Sequence, residues 1–292
     1  MPTSPRKRKV WFITGASRGF GVDIAHEALE RGDSVVATAR DPRAVTKRFG
    51  ERPNLLAARL DVTREADAAA AVKLAIDKFS RIDVLVNNAG YGLAGGVEES
   101  SDAEVRALFD VNVFGLLHVT RAVLPVLRRQ RSGHVINMAS VAGFVGFPAA
   151  GAYCATKFAV EALTESLAIE LKPLGIFATV VEPGFFRTDF LSPTSLVSTR
   201  QRIDDYAETV GTMRSFLADA DHRQPGDSKK LAKAILTLAD APKPPVRLPL
   251  GNDTVAKIRE KTASVLAELE EWIGVATSTD HDDVKTKGPF GR

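Results

Sequence analysis

Short apolar runs rich in β-branched residues alternate along this chain with longer stretches whose apolar positions recur every three or four residues. The first pattern marks strands and the second amphipathic helices. Strands are predicted over 10–14, 34–38, 55–60, 84–87, 135–138 and 177–182. Helices are predicted over 21–31, closed by Gly32, and over 105–130 and 156–171, the last stopped by Pro173 and Gly175. Thr63 stands where it would cap an alanine-rich helix running to Phe79. Near-continuous apolar strands such as Val84-Leu85-Val86 suit burial on both faces. Strands alternating with helices imply right-handed crossovers, hence an α/β fold in which a doubly wound parallel sheet carries helices on both faces in a single domain.

The alternation ends near Pro183-Gly184, and 190–230 reads as irregular and polar. A proline-rich stretch then holds Arg247-Leu248, a candidate edge strand, and a helix is predicted over 253–272. The expected organisation is a basic tail over 1–8, one domain over 9–275 with 185–230 as its substrate-binding segment, and a disordered polar tail over 276–292.

Chemistry enters where the first strand runs into Thr14-Gly15-Ala16-Ser17-Arg18-Gly19-Phe20-Gly21 and then a helix. Glycines allow a tight turn and a close approach of backbone amides to a pyrophosphate, which the helix N-terminus favours electrostatically. Nucleotide-binding candidates here are Gly15, Ser17, Arg18, Gly19, Phe20 and Gly21. The end of the second strand, where an NAD enzyme commonly places a carboxylate against the ribose, carries Ala39 and then Arg40. Arg18 and Arg40 together suit the 2′-phosphate of NADP(H), so NADP(H) is expected ahead of NAD(H), although Asp41 stands ready to pair with Arg40.

The spacing Gly-x3-Gly-x-Gly resembles that of the short-chain dehydrogenase/reductase family. Asn87-Asn88-Ala89-Gly90 after the fourth strand, Tyr153-x-x-x-Lys157, Ser140 thirteen residues before Tyr153, Asn112 on the preceding long helix and Pro183-Gly184 after the sixth strand extend the resemblance over roughly 8–190. The C-terminal Arg247-Leu248-Pro249-Leu250-Gly251 and the residues beyond look more like the compact retinol- and hydroxysteroid-dehydrogenase branch than the ketoacyl carrier-protein reductases. The resemblance implies a Rossmann-type sheet and a hydride-transferring oxidoreductase of carbonyls and secondary alcohols. It places Asp61 and Val62 against the adenine, Asn88, Ala89, Gly90, Pro183 and Gly184 along the cofactor, and Thr188 at the nicotinamide. It also makes Asn112 the holder of a proton-relay water. Two alternatives stay open: a ketoacyl thioester reductase, and a catalytically silent cofactor-sensing protein.

A carbonyl that accepts hydride needs a proton. Tyr153 and Lys157 lie four apart on one helical face, where an ammonium ~4 Å from the phenolate contributes roughly 4 kcal/mol and lowers the tyrosine pKa by roughly 3 units. With Ser140 and Asn112 at the family's spacing, the resemblance makes the catalytic set Asn112, Ser140, Tyr153 and Lys157, with Ser140 polarising the substrate carbonyl. Phe144, Val145, Phe147, Phe185, Phe186, Phe190 and Leu191 flank these positions and suggest an apolar substrate.

Composition narrows the remaining classes. The 292 residues carry a net charge of only +3, and a single basic run (Arg6 to Lys9) gives little ground for a nucleic-acid or membrane partner. No continuous apolar run approaches ~20 residues. The lone Cys154 excludes a disulfide framework, suits a cytoplasmic setting and reads as packing. His118 and His134 lack metal-ligand spacing, so no metal is expected. The long helices 105–130 and 156–171 are the faces through which the resemblance implies a homodimer or homotetramer.

Overall fold

The computed structural model describes residues 7–281. In chain order the elements are β1 (Val10–Ile13), α1 (Gly19–Glu30), β2 (Ser34–Ala39), α2 (Arg43–Phe49), β3 (Leu55–Arg59), α3 (Glu65–Phe79), β4 (Val84–Asn87) and β5 (Gly92–Ala94). There follow α4 (Asp102–Phe109), α5 (Gly115–Gln130), β6 (Gly133–Met138), α6 (Gly151–Leu171), β7 (Ile176–Pro183) and β8 (Leu196–Ser198). The chain ends with α7 (Thr212–Asp219), α8 (Ser228–Asp240), β9 (Arg247–Leu250) and α9 (Asn252–Thr277).

Seven strands form one sheet in the order β3-β2-β1-β4-β6-β7-β9, and every neighbouring pair is parallel. This is the Rossmann-type sheet expected from the alternating pattern. The order reverses between β1 and β4, which opens a crevice beyond their carboxyl ends. Each face has its own core. On one side α1 and α8 bury Ile24, Ala25, Leu29, Leu231 and Ile235 against Trp11, Ile13, Val35 and Val86. On the other, α3 and α5 bury Ala68, Ala71, Val119, Val123 and Leu127 against Phe12, Val36, Leu85 and Val135.

Several elements differ from the sequence pattern. Helix α1 starts at Gly19, two residues before the predicted position, because the glycine turn itself supplies its first residues. Thr63 does not cap α3: the helix begins at Glu65, and the Thr63 amide and hydroxyl both donate to Asp61 Oδ1 at 3.0 and 2.7 Å. Short-range Asx-turn chemistry took the hydroxyl that a cap would have used. The segment 102–130 is continuous but not uniform, since α4 and α5 are joined by one wider π-type turn, Asp110–Phe114. Its start at Asp102 carries a capping box, Ser101 with Glu104, legible as Ser-x-x-Glu. The helix Asp102–Gln130 is long and apolar enough, by length and composition, to cross a membrane. Single-run counting missed this, and the fold covers its apolar side with α3 and the sheet.

Helix α6 starts at Gly151 rather than 156, so Tyr153 lies in its first turn. The irregular reading of 190–230 overlooked β8 and α7, and α2, β5 and α8 were not predicted either. Helix α9 runs past the predicted 272 to Thr277. At the other end Lys9 belongs to the fold: its amide donates to Asp33 and its ammonium pairs with Asp240. Residues 1–6 and 282–292 of the expected tails lie outside the described residues.

Candidate active site

The carboxyl ends of β1, β4, β6 and β7 open onto a cleft of about 840 Å³. Its upper wall is the glycine turn. Gly15 sits at φ +66°, and a Cβ on Gly21 would stand 2.5 Å from the Gly15 carbonyl oxygen, so both positions exclude side chains. Asn88 fastens this turn to the end of β4: its amide Nδ2 donates to the Thr14 and Gly15 carbonyls at 2.9 and 3.2 Å. The Thr14 hydroxyl accepts from the Asn88 and Ala89 amides at 2.9 and 3.0 Å. Thr14 was not singled out from sequence, although a hydroxyl closing the first strand of such a turn was a readable signal.

No side chain caps the N-terminus of α1, and Ser17, Arg18, Gly19 and Phe20 line the cleft beside it. That arrangement fits the pyrophosphate of a dinucleotide. Arg40, Asp61 and Val62 line the far end. The Thr63 hydroxyl, with help from Arg40, holds the Asp61 carboxyl below the usual carboxylate range. Asp41 does not pair with Arg40. It accepts three side-chain hydrogen bonds from Arg43, from Nε to its two oxygens at 2.9 and 3.2 Å and from Nη2 at 2.9 Å.

At the other end stand the four residues singled out for chemistry. Tyr153 is half-buried, its ring 5.8 Å from that of Phe190, and it lines the cleft together with Ser140. Ser140 lies two residues beyond β6 and caps a short turn by accepting from the Ala142 amide at 3.2 Å. Lys157 lies one turn beyond Tyr153, buried, with Nζ 2.8 Å from the Met138 carbonyl oxygen and 5.7 Å from the Tyr153 ring centre. Asn112 sits in the π-type turn, which re-aims its side chain off the regular helical path. Its carboxamide clasps the Tyr91 backbone in both directions, at 3.1 and 2.9 Å, and donates to Thr156 at 3.1 Å. A Cβ on Gly90 would stand 3.1 Å from Asn112 Oδ1, so a side chain there would press on the Asn112 carboxamide.

The electrostatics correct the sequence expectation for Tyr153. Burial pushes its phenol up, and the nearby Ser140 hydroxyl only partly opposes this. Burial also brings Lys157 down to about 8, against which the Glu161 charge acts. The sequence estimate counted attraction between the two groups and left out the cost of desolvating each. Behind Lys157, one turn along α6, lies a cluster around two buried carboxylates, Glu161 and Glu182, not foreseen from sequence. The Arg247 guanidinium donates to Glu161, Glu182 and Glu165, the last two at 3.3 and 2.6 Å. Burial, then the Glu182 charge, pushes the Glu161 carboxyl up. The four side chains come from three separate elements, so no local motif announces them.

Phe147, Phe185, Phe186, Phe190 and Leu191 line the cleft, but Phe144 and Val145 do not. Phe144 instead lies 5.7 Å under the Arg247 guanidinium. Met213 and Leu217 of α7 and Leu93 of β5 complete an apolar wall that the polar look of 190–230 concealed. Thr188 and Pro183-Gly184 also line the cleft. Cys154 is buried and burial raises its thiol pKa, which suits packing.

Residues 9–196 match the family model described as short chain dehydrogenase. The chain belongs to that family. It is 40% identical over 268 residues to oxidoreductase BOA17 of Botryotinia fuckeliana, covering 90% of this chain and 96% of that one. It is 35% identical to a 3-ketodihydrosphingosine reductase of Bacteroides thetaiotaomicron, covering 83% and 88%. Among solved structures, a short-chain dehydrogenase from Streptomyces avermitilis is 41% identical with a TM-score of 0.86, covering 94% of this chain and all of that one. A 3-ketoacyl-(acyl-carrier-protein) reductase from Brucella melitensis complexed with NADH is 30% identical (TM-score 0.70, covering 83% and 96%). A serine dehydrogenase complexed with NADP+ is 26% identical (TM-score 0.70, covering 82% and 94%).

Proposed function

We propose that this oxidoreductase transfers a hydride between NADP(H) and a carbonyl or secondary alcohol on an apolar small molecule, with Tyr153 as the acid/base. The observation that carries the reading is the meeting of Tyr153, Ser140 and Lys157 in an apolar-walled cleft whose other end is the glycine turn. The nicotinamide cofactor, when bound, supplies or accepts the hydride. The protein's own groups do the rest. Ser140 donates a hydrogen bond to the substrate oxygen and stabilises the negative charge that develops there. Tyr153, kept protonated at neutral pH by its burial, gives that oxygen its proton in the reducing direction. Lys157 holds positive charge beside the phenol as the proton leaves. Asn112 keeps the Tyr91 backbone and the base of α6 in register, so that Lys157 can be resupplied with a proton.

Preference for NADP(H) is supported by Arg18 and Arg40 in the cleft and by the capture of Asp41 by Arg43. A second reading, reduction of a ketoacyl thioester, draws support from the Brucella relative.

Oxidation of NADPH and NADH against ketosteroids, retinal, quinones, aliphatic ketones and a ketoacyl thioester tests all of this. The expected result is selective turnover with NADPH on an apolar ketone. Tyr153→Phe should lower kcat about 100- to 10,000-fold while cofactor affinity persists. Equal rates in Tyr153→Phe would remove the acid/base role, and preference for NADH would remove the arginine argument alone.

A further inference from the structure

Helix α7 walls the apolar end of the cleft through Met213 and Leu217, which lie four apart and share one face. The helix has eight residues, and none of them is buried. Between Arg200 and Asp219 only Val210, just ahead of α7, is buried. Phe216 meets the Phe185 ring edge-on at 5.8 Å and is still half exposed. A helix this short does not persist in water by itself, and α7 has no core contact of its own to steady it.

What steadies α7 is polar. Arg214 donates to both oxygens of Glu99, from Nη2 to Oε2 at 2.7 Å and from Nη1 to Oε1 at 3.3 Å, and Nη2 also donates to the Thr199 hydroxyl at 2.8 Å. Glu99 lies between β5 and α4 and is 1% exposed. It accepts the Ile203 amide at 2.9 Å and the Gly96 amide at 2.7 Å as well. One carboxylate therefore ties its own loop to Ile203 and to α7 at once. The same segment is fastened to β5 where the Thr199 amide donates to the Ala94 carbonyl at 3.0 Å. Glycine at 95 makes this approach possible, since a Cβ there would run into the Thr199 side chain. Neither Glu99 nor Arg214 lines the cleft, so whatever they do for a substrate they do through α7. A two-pronged, charge-assisted tie shielded from water is strong and directional, and either partner left alone there is costly.

We propose that Glu99 is a positioning residue that sets substrate selectivity: through Arg214 it fixes Met213 and Leu217 against the cleft, and with them the width of the end that receives the body of an apolar ketone. The inference rests on the apolar-substrate reading given above. The cofactor end is built by the glycine turn and the ends of β2 and β3, apart from this tie.

The test compares the wild type with Arg214→Met, Arg214→Lys and Glu99→Gln/Arg214→Met. Calorimetry gives the Kd of methyl ketones of increasing chain length and of a ketosteroid, each on the NADP+ complex, which has no hydride to reduce them. Arg214→Met should narrow the spread of Kd across the series about tenfold, while the Kd of NADPH stays within about twofold. Arg214→Lys keeps a charge for Glu99 and should keep the wild-type spread within about threefold. The double variant leaves no lone buried carboxylate, so it carries the same expectation as Arg214→Met even where that protein folds poorly. Amide hydrogen exchange over 199–217 should quicken about tenfold in Arg214→Met, with the sheet unchanged. An unchanged spread of Kd would overturn the proposal even with faster exchange, because the pair would then serve the fold alone. So would an NADPH affinity that falls as far as ketone affinity, which would mean a general loosening. A wild type that binds none of the ketones would overturn the apolar-substrate reading and this inference with it, whereas an unchanged spread removes this inference only.

Discussion

Lys157 is 7% exposed and holds its ammonium against a single carbonyl, that of Met138. Its pKa of about 8 in the fold lies below the 10.5 of an exposed lysine, so between those values the unfolded chain binds a proton that the folded chain has released. Stability therefore rises with pH across that window, and the burial cost is full below about pH 8. Lys157→Met is expected to abolish turnover while raising the unfolding free energy at pH 7 by up to roughly 3 kcal/mol, less the contribution of the lost hydrogen bond. The gap should close as pH approaches 10.5. Urea midpoints of the two proteins at pH 7, 8.5 and 10 measure it, and equal midpoints at pH 7 would show that the lysine carries no such cost.

Among the elements, β6, β7 and β9 depend on buried polar pairs as much as on apolar contact. Asn137 of β6 donates to Thr164 of α6 and accepts from Asn87 of β4, which itself donates to Thr120 of α5. At the opposite end of β6 the His134 ring nitrogen Nε2 meets the Thr179 hydroxyl at 2.9 Å, and that hydroxyl donates to the Pro245 carbonyl at 2.6 Å. His134 must therefore be the donor in the first bond, with its proton on Nε2. Burial, aided by the Lys9 charge, brings its pKa down to about 3. Below the ordinary value of 6.5 the unfolded chain takes up a proton that the folded strand refuses. Stability is thus full above pH 6.5 and falls toward pH 3. His134→Leu should flatten this acid limb, losing less stability than the wild type between pH 7 and 4. Denaturant melts across that range decide it, and parallel curves would mean that His134 is not the group responsible.

For the whole molecule, the cleft joins parts that are distant in the chain: the glycine turn, the ends of β2 and β3, the β7 loop and α7. A ligand that fills it stabilises all of them together by linkage. NADPH at 100 times its Kd should add about 2.7 kcal/mol and, for a domain of this size, raise Tm by roughly 5 to 10 °C. NADH at the same concentration should add less, and Arg40→Ala should narrow the difference. Differential scanning calorimetry with each cofactor tests this, and equal shifts in the wild type would argue against the arginines as a phosphate site.

The strand–helix alternation was enough to predict the parallel sheet, because burial on two faces leaves a periodic record in every strand and helix. The glycine turn, Asn88 to Gly90, Ser140, Tyr153 and Lys157 were legible as well. The glycine turn follows from backbone geometry and the Tyr153–Lys157 pair from a fixed interval on one helix, both local properties, whereas Asn88 to Gly90 and Ser140 were read through the family resemblance. What depends on residues far apart in the chain left no such record. The Glu161–Glu182–Arg247 cluster, the Asn87–Asn137 ladder and the α7 wall of the cleft exist only after the sheet has formed. Burial likewise changed the sign expected for Tyr153, since proximity to Lys157 can be counted along a helix whereas the exclusion of water depends on everything packed around it.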